Sequence, residues 1–226
     1  MTDAVMLFAA GFGTRMGRLT QDRPKPLVRV AGKPLIDHAM TLVHEAGPFQ
    51  IVVNAHYKAD QIIAHFAGTD VQVTVETPDI LDTGGGLKAA LPLLGSDTVF
   101  TMNTDAVWDG PNPLALLKAA WTDEMQVLLL CIPKARAIGH SGIGDLDVLE
   151  DGHAKWGTDT IYSGLQIIRS DTVFNMAENV FSLKTVWDQL EAKGQLHAVT
   201  YPGRWCDVGH PDGIKLAEDM LGYADV

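Results

Sequence analysis

Cysteine is scarce in this sequence, and basic residues are too few to balance the acidic ones. The chain of 226 residues has 2 cysteines, 17 Lys and Arg, and 28 Asp and Glu, which gives a net charge of −11. Two cysteines cannot build a disulfide framework or a zinc motif, so we expect reduced thiols in a cytosolic protein. The acidic balance argues against a nucleic acid or an anionic membrane as the primary partner.

Long hydrophobic runs are also missing. No stretch approaches the roughly 18 uninterrupted apolar residues of a membrane span, and no basic segment followed by an apolar run marks a secretory signal. The 8 histidines show no spacing typical of a metal site. A hydrophobic content of 46% still allows an ordinary core. We therefore expect a cytoplasmic globular protein that has no membrane partner.

Apolar runs alternate with helix-like segments in the first part of the chain. The expected strands cover 5–10, 51–54, 71–75, 99–102 and 127–132. The expected helices cover 34–46, 58–66, 86–94 and 114–121, the third of them following a glycine turn at 84–86. Alternation of this kind implies right-handed crossovers and a mostly parallel sheet in an α/β protein.

The pattern changes after Ile132. Shorter strands are expected over 145–149, 153–156 and 160–168, and Asp151 with Gly152 is a favourable hairpin turn between the first two. Helices are expected over 182–192 and 213–221. Since no linker and no internal repeat interrupts the chain, we predict one domain over 1–226 with two halves, 1–132 and 133–226. A monomer and a small homo-oligomer both remain open.

A glycine-rich turn follows the first expected strand. Gly11 and Gly13 stand there with Arg15, and Lys25 lies between two prolines further on. Glycines let backbone N–H groups approach a ligand closely. Arg15 and Lys25 add positive charge, and the prolines stiffen the chain around the lysine. These are the parts of a cradle for a triphosphate.

Two other interpretations of this turn compete with the phosphate cradle. A dinucleotide-binding loop has the pattern G-x-G-x-x-G with an acidic residue about 20 positions further on. Here Met16 occupies the place of the third glycine, which falls at Gly17, and basic residues follow. The other alternative is a tight turn that binds nothing. The charges of Arg15 and Lys25 favour the phosphate cradle.

The same stretch resembles the sugar nucleotidyltransferases. Their opening motif, Gly-x-Gly-Thr-Arg-[Leu/Met] followed by Pro-Lys-Pro-[Leu/Met], stands here as Gly11, Phe12, Gly13, Thr14, Arg15, Met16, then Pro24, Lys25, Pro26, Leu27. The resemblance continues, in the expected order, through 82–86 (Asp-Thr-Gly-Gly-Gly), 103–105 (Asn-Thr-Asp), 162–165 (Tyr-Ser-Gly-Leu) and 205–209 (Trp-Cys-Asp-Val-Gly). It therefore covers essentially the whole chain.

This resemblance implies a fold and a reaction. The fold would be a three-layer α/β/α, Rossmann-like arrangement around a mixed, mostly parallel sheet, with a nucleotide-binding half at 1–132 and a sugar-binding half at 133–226. The enzymes transfer a nucleotidyl group from an NTP to a sugar 1-phosphate with Mg²⁺ and release pyrophosphate. The closest resemblance is to short bacterial enzymes that use UTP and N-acetylmuramic acid 1-phosphate in cell-wall recycling. Mannose or glucose 1-phosphate as acceptor, and a non-catalytic sensor of sugar nucleotides, are the alternatives.

The resemblance also implies roles for particular residues. Arg15 and Lys25 would be catalytic, and Asp105 and Asp207 would hold Mg²⁺, which needs few protein ligands. The implied nucleotide contacts are Ala10, Gly11, Gly13, Thr14, Arg15, Lys25, Thr83, Gly84 and Gly85. The implied sugar contacts are Ser163 and Gly164. Asn54, at the end of an expected strand, is a further candidate for the sugar and is otherwise a cap of the next helix. Lys155 is the candidate for the sugar phosphate and is otherwise a solvated hairpin residue. One departure is Thr104, which stands where the family usually has glycine before the first aspartate.

Overall fold

The computed structural model describes residues 3–223, in which strands and helices alternate much as the sequence predicts. The strands are β1 (Asp3–Phe8), β2 (Arg29–Val30), β3 (Lys33–Pro34), β4 (Phe49–Ala55), β5 (Gln72–Val75), β6 (Thr98–Asn103), β7 (Ala106–Asp109), β8 (Val127–Pro133), β9 (Ala137–Ile138), β10 (Leu146–Val148), β11 (Ala154–Trp156), β12 (Thr160–Arg169), β13 (Leu196–Thr200) and β14 (Arg204–Asp207). The helices are α1 (Leu35–Ala46), α2 (Ala59–His65), α3 (Asp82–Leu94), α4 (Pro113–Ala120), α5 (Ser170–Phe174), α6 (Leu183–Glu191) and α7 (Pro211–Met220). None of the helices within residues 3–223 is long and apolar enough to cross a membrane.

A nine-stranded mixed sheet forms the centre of the molecule. Seven of its strands follow the order β11-β10-β12-β6-β1-β4-β5, and β8 and β13 join through β12. The pairs β6–β1, β1–β4, β4–β5 and β8–β13 are parallel, whereas β12 runs antiparallel to both β6 and β8. The predicted α/β class with a largely parallel sheet is confirmed. Strands from both halves of the chain share this sheet.

Alternation along β1 shows how the layers form. Successive side chains of a strand point to opposite faces of the sheet. Val5 and Leu7 belong to one apolar cluster, which contains residues of α1, α2 and α4. Ala4 and Met6 belong to a second cluster, with residues of α3, α5 and α6. All four residues are almost completely buried, so helices cover both faces of the sheet and give the expected three layers.

A small second sheet was not expected from the sequence. It has three strands in the order β7-β14-β9, with β7 antiparallel and β9 parallel to β14. Its strands come from distant parts of the chain and contain four, four and two residues. Segments this short have no recognisable hydrophobic period, so they can be identified as strands only from their pairing in the folded protein.

The glycine turn predicted at 84–86 is wrong in its local structure. Helix α3 starts at Asp82, so these glycines lie within its first turns. A Cβ on Gly84 would collide with the ring of Phe181, and a Cβ on Gly85 would collide with the carbonyl oxygen of Asn179. The N–H groups of both glycines donate to Phe181 O, at 2.9 and 3.0 Å. Close packing of the segment before α6 therefore requires the glycines.

We expect Gly85→Ala to destabilise the protein by about 1–3 kcal/mol, because the added methyl group must displace backbone and not a flexible side chain. Urea unfolding would measure the loss. Gly11→Ala is the matched control, since a Cβ at Gly11 has no neighbouring atom within 4 Å. Equal unfolding free energies for the two variants would contradict this account of the glycines in α3.

Candidate active site

The glycine-rich loop leaves the carboxyl end of β1 and passes into a 3₁₀ helix over Thr14–Thr20. Gly13 has φ +63° there, and a Cβ on it would lie 2.9 Å from the Cβ of Lys25. The Thr20 hydroxyl donates to the carbonyl oxygens of Gly13 and Gly17, at 3.0 and 3.2 Å. Glycine at position 13 therefore lets the loop pass directly over Lys25 in a fixed conformation.

Lys25 is buried and paired. The residue is only 9% exposed and begins a 3₁₀ turn over Lys25–Leu27, directly after Pro24. Its Nζ lies 2.7 Å from Oδ2 of Asp105, which follows the carboxyl end of β6. A lysine of this kind is held in place before any ligand arrives, unlike a solvated lysine in a loop.

Thr104, the residue that departs from the family motif, has a structural role. Its hydroxyl donates to Phe8 O at 2.7 Å, and the residue is 3% exposed. This bond joins the end of β6 to the end of β1, which are neighbouring parallel strands. The threonine thereby fixes the backbone just before Asp105, and the carboxylate keeps its place at the carboxyl edge of the sheet.

The small sheet places Asp207 beside Asp105. Asp207 ends β14, and the β7–β14 register sets it opposite Ala106. The Val208 N–H donates to Asp105 O at 2.9 Å, which joins the two segments again. Residues far apart in sequence thus meet at one point, where the carboxyl end of β6 meets the small sheet.

Side chains of both charge signs act on the Asp207 carboxyl. Burial raises the pKa of the Asp207 carboxyl, and the neighbouring charge of Asp105 raises it further. Lys25, Arg15 and His140 act in the opposite direction on this pKa but do not cancel the rise. Three cationic or potentially cationic side chains therefore act on the Asp207 carboxyl together with one carboxylate, an arrangement that suits a highly charged ligand with its counter-ion.

The two carboxylates fit a magnesium ion in their chemistry. Mg²⁺ prefers hard oxygen ligands, keeps several waters and often binds through one or two carboxylates and substrate phosphates. Among residues 3–223, no group of three or more His, Cys, Asp or Glu side chains could hold a metal. Asp105 and Asp207 would therefore share the ion with phosphate and water and would not enclose it.

A cleft of about 210 Å³ opens at the carboxyl ends of β1, β4 and β6. Open α/β sheets bind ligands at this edge. Of the residues to which the sequence analysis gave a nucleotide, sugar or metal role, those that line it are Ala10, Gly11, Gly13, Lys25, Asn54, Thr83 and Asp105. Arg15 and Thr14 are exposed on the loop, and Gly84 and Gly85 are buried in α3 beneath Phe181 and Asn179.

Asn54 holds one wall of the cleft. Its Oδ1 accepts a hydrogen bond from the Ala9 N–H at 2.8 Å, and its Nδ2 donates to Glu76 Oε1 at 2.7 Å. Glu76 Oε2 accepts from the Leu81 N–H at 2.7 Å. Asn54 and Glu76 are 3% and 4% exposed. Glu76 was not identified from the sequence, because one acidic residue after a short strand forms no motif.

Ser163 and Gly164 lie where β12 changes register against β8. Gly164 has φ +84°, and a Cβ on it would lie 2.7 Å from the Asn103 side chain. Asn103 lines the cleft, so this bulge reaches the site from the second half. Lys155 lies elsewhere, exposed on β11 opposite Asp147.

His140 is a second residue that sequence reasoning missed. The β9–β14 pairing sets Ile138 beside Cys206, and the chain then continues through Gly139 to His140, next to Asp207. A histidine between small residues gives no signal by itself. Its place becomes visible only through the pairing of two short strands.

Residues 5–207 match the family described as the MobA-like NTP transferase domain. The chain belongs to this family. As a member of the MobA-like NTP transferases it is a nucleotidyltransferase, and the resemblance to sugar nucleotidyltransferases drawn from the motifs is confirmed.

Individual relatives extend this result. The chain is 36% identical over 234 residues to an N-acetylmuramate alpha-1-phosphate uridylyltransferase of Caulobacter vibrioides, covering 97% of each chain. It is 30% identical over 227 residues to the protein of the same name from Neisseria meningitidis serogroup B, covering 96% of this chain and 97% of the relative. The crystal structure of HddC from Yersinia pseudotuberculosis shares the fold, with a TM-score of 0.76, 24% identity and coverage of 97% and 99%.

Proposed function

We propose that the protein transfers the uridylyl group of UTP to N-acetylmuramic acid 1-phosphate and releases pyrophosphate. The observation that carries this proposal is the Lys25–Asp105 pair, 2.7 Å apart, beside Asp207 and beneath a glycine-rich loop. The choice of UTP and of this acceptor is supported by two relatives of that name, which match the chain over nearly its full length.

The chemistry needs positioning and charge neutralisation more than proton transfer. A phosphate oxygen of the acceptor attacks the α-phosphorus of UTP in line, and the bond from that phosphorus to the β-phosphate oxygen breaks. The attacking oxygen is already ionised near neutral pH, so the reaction requires no general base. Arg15 and Lys25 oppose the charge that accumulates on the phosphates.

The first half of the chain would hold the nucleotide. Backbone groups of the loop at Gly11 and Gly13 face the cleft and would receive phosphate oxygens. Thr83, at the start of α3, also lines the cleft, and its hydroxyl accepts the Leu183 N–H at 3.0 Å, which fixes it in place. Asp105 and Asp207 would hold Mg²⁺, which, when bound, neutralises and orients the phosphates.

The second half would hold the sugar. Ser163 and Gly164 lie on β12 where this strand packs against Asn103, which lines the cleft. Both residues stay the proposed sugar contacts. Both Oδ1 and Nδ2 of Asn54 already make hydrogen bonds within the protein. Asn54 would therefore act on sugar binding by holding the side of the cleft that it forms with Glu76. Lys155 stays the proposed contact to the sugar phosphate, although it is exposed on β11 and does not line the cleft.

A matrix of substrates tests the proposal. The protein is incubated with Mg²⁺, each common NTP and each of several sugar 1-phosphates, and pyrophosphate release is followed. We expect release that requires UTP and N-acetylmuramic acid 1-phosphate together. Release with GTP and mannose 1-phosphate, or with glucose 1-phosphate, would replace the proposed substrates. A folded protein that binds nucleotide but releases no pyrophosphate with any pair would instead be a sensor.

Gly11→Ala separates ligand binding from folding. A Cβ at this position meets no protein atom within 4 Å, so the unfolding free energy should stay unchanged. The methyl group would occupy space that a phosphate needs, and we expect UTP to bind at least about tenfold more weakly. Calorimetric titration of UTP with Mg²⁺ measures this change. Unchanged affinity would place the phosphates away from the glycine-rich loop.

A further inference from the structure

We propose that His140 binds the phosphate group of the acceptor substrate, a sugar 1-phosphate, and so completes the active site from the second half of the chain. This inference rests on the proposed function. It names a group that no motif of the sequence identifies.

The backbone position of His140 is fixed by the small sheet. Its strand β9 lies parallel to β14 and ends one residue before Gly139. Gly139 has φ +75°, and a Cβ on it would lie 2.6 Å from Asp207 O. Only glycine fits this close passage, so the chain crosses the backbone of Asp207 at a defined point, and His140 follows as the next residue.

The imidazole ring also has a defined place. It lies half-buried at a tilted angle to Trp205, with ring centroids 6.4 Å apart. A Cβ on Gly142 would collide with its Nε2, so the loop turns tightly around the ring. Within the part of the chain that the structure describes, neither ring nitrogen takes part in a hydrogen bond. The ring is thus positioned, and neither of its nitrogens is committed to a protein partner among residues 3–223.

The direction of approach points to the acceptor. Arg15 and Lys25 reach Asp207 from the first half of the chain, where the glycine-rich loop would hold the triphosphate. In the small sheet, β7 and β9 lie on opposite sides of β14; Asp105 directly precedes β7, and His140 follows β9 by two residues. An in-line displacement keeps the attacking and leaving groups on opposite sides of the reacting phosphorus. A donor on the far side of Asp207 is therefore placed to receive the attacking phosphate.

The imidazole N–H can donate to a phosphate oxygen, and the acidic surroundings of the two aspartates make such a donor valuable. Without the imidazole N–H, fewer groups would offset the repulsion between the acceptor phosphate and the two carboxylates. The residue would act on substrate binding more than on the phosphorus itself. It is a binding residue that should affect the KM of one substrate selectively.

His140→Ala and His140→Gln test this inference by steady-state kinetics with UTP and N-acetylmuramic acid 1-phosphate. We expect the alanine variant to raise the KM for the sugar 1-phosphate by about tenfold or more, with the KM for UTP unchanged. Glutamine, which keeps an N–H donor, should recover part of this loss. Gly142→Ala should raise the same KM by displacing the ring. His153→Gln, which changes a histidine against β13, is the matched control and should alter neither KM.

Each outcome separates the possibilities. If the wild-type protein releases no pyrophosphate with any substrate pair, the proposed function fails and this inference fails with it. If the wild type is active and the His140 variants leave the KM for the sugar 1-phosphate unchanged, only this inference is overturned. A selective rise in the KM for UTP would overturn it as well, by placing His140 against the triphosphate. Should the alanine variant fail to fold, the glutamine variant decides.

Discussion

Lys25→Ala is expected to lower the turnover number about 100- to 1000-fold, which is the usual loss when one fixed cationic or hydrogen-bonding group is removed from a developing negative charge. The effect should fall on kcat, because Lys25 is buried beside the proposed reaction centre and is held there by Asp105. Pyrophosphate release at saturating UTP and sugar 1-phosphate measures it.

The same substitution should also cost stability in the absence of Mg²⁺. A solvated lysine could be removed at almost no cost, but Lys25 offsets the charge of Asp105 and lowers the pKa of Asp207. Its loss leaves two neighbouring carboxylates with less compensation, and we expect about 1–3 kcal/mol of destabilisation that added Mg²⁺ partly restores.

Lys118→Ala is the matched control for Lys25. Lys118 also pairs with an aspartate, Asp3, but its side chain is 57% exposed and lies outside the cleft. Ion pairs of this kind contribute little, so stability and turnover should both remain close to those of the wild type. Wild-type turnover in Lys25→Ala would remove the lysine from the mechanism, whatever happened to stability.

Asp207→Asn should have opposite effects on activity and on stability. The pKa of the Asp207 carboxyl is raised by burial and by Asp105, so the folded protein disfavours its charged form. The charge therefore costs folding free energy, and the cost grows as the pH rises above the unfolded pKa of about 3.9. Without metal at neutral pH, asparagine should raise the melting temperature while turnover falls at least about 100-fold.

Added Mg²⁺ gives this prediction a second measurement. Binding to the folded state should raise the melting temperature of the wild type and should do so far less for Asp207→Asn. Asp109→Asn is the control, because Asp109 lies on β7 and pairs with Arg204 on the exposed side of the small sheet. Its Mg²⁺ response should equal that of the wild type. A lower melting point for metal-free Asp207→Asn, or full activity at low Mg²⁺, would contradict the assignment.

The parts of the fold that the sequence predicted are those with a local signal. Helix α1 and strands such as β1 and β8 have an apolar period or an apolar run of ordinary length, and the structure contains them within a few residues. The wrong expectation at 84–86 has a physical cause. Glycine normally indicates a turn, but here it meets a packing requirement set by Phe181 and Asn179, far along the chain.

The residues of the candidate site also divide into those with a local sequence signal and those without one. The sequence could predict Lys25 as a candidate because the flanking prolines and the motif lie within one short segment. Glu76 and His140 were missed because each depends on contacts made after folding: one through Asn54, the other through the pairing of β9 with β14. No local pattern records that Asp207 will end opposite Ala106, since strand register is a property of the assembled sheet.

The small sheet also sets when the protein can become active during its synthesis. A nascent chain that has not yet reached Arg204 already contains the glycine-rich loop, Lys25 and Asp105, but it has no β14 to place between β7 and β9. Domains generally fold as units, so the small sheet cannot be completed before β14 has been made. A chain without β14 also lacks Asp207, one of the two proposed metal ligands. An unfinished chain would therefore not turn over nucleotide. Turnover would begin only after β14 has paired with β7 and β9.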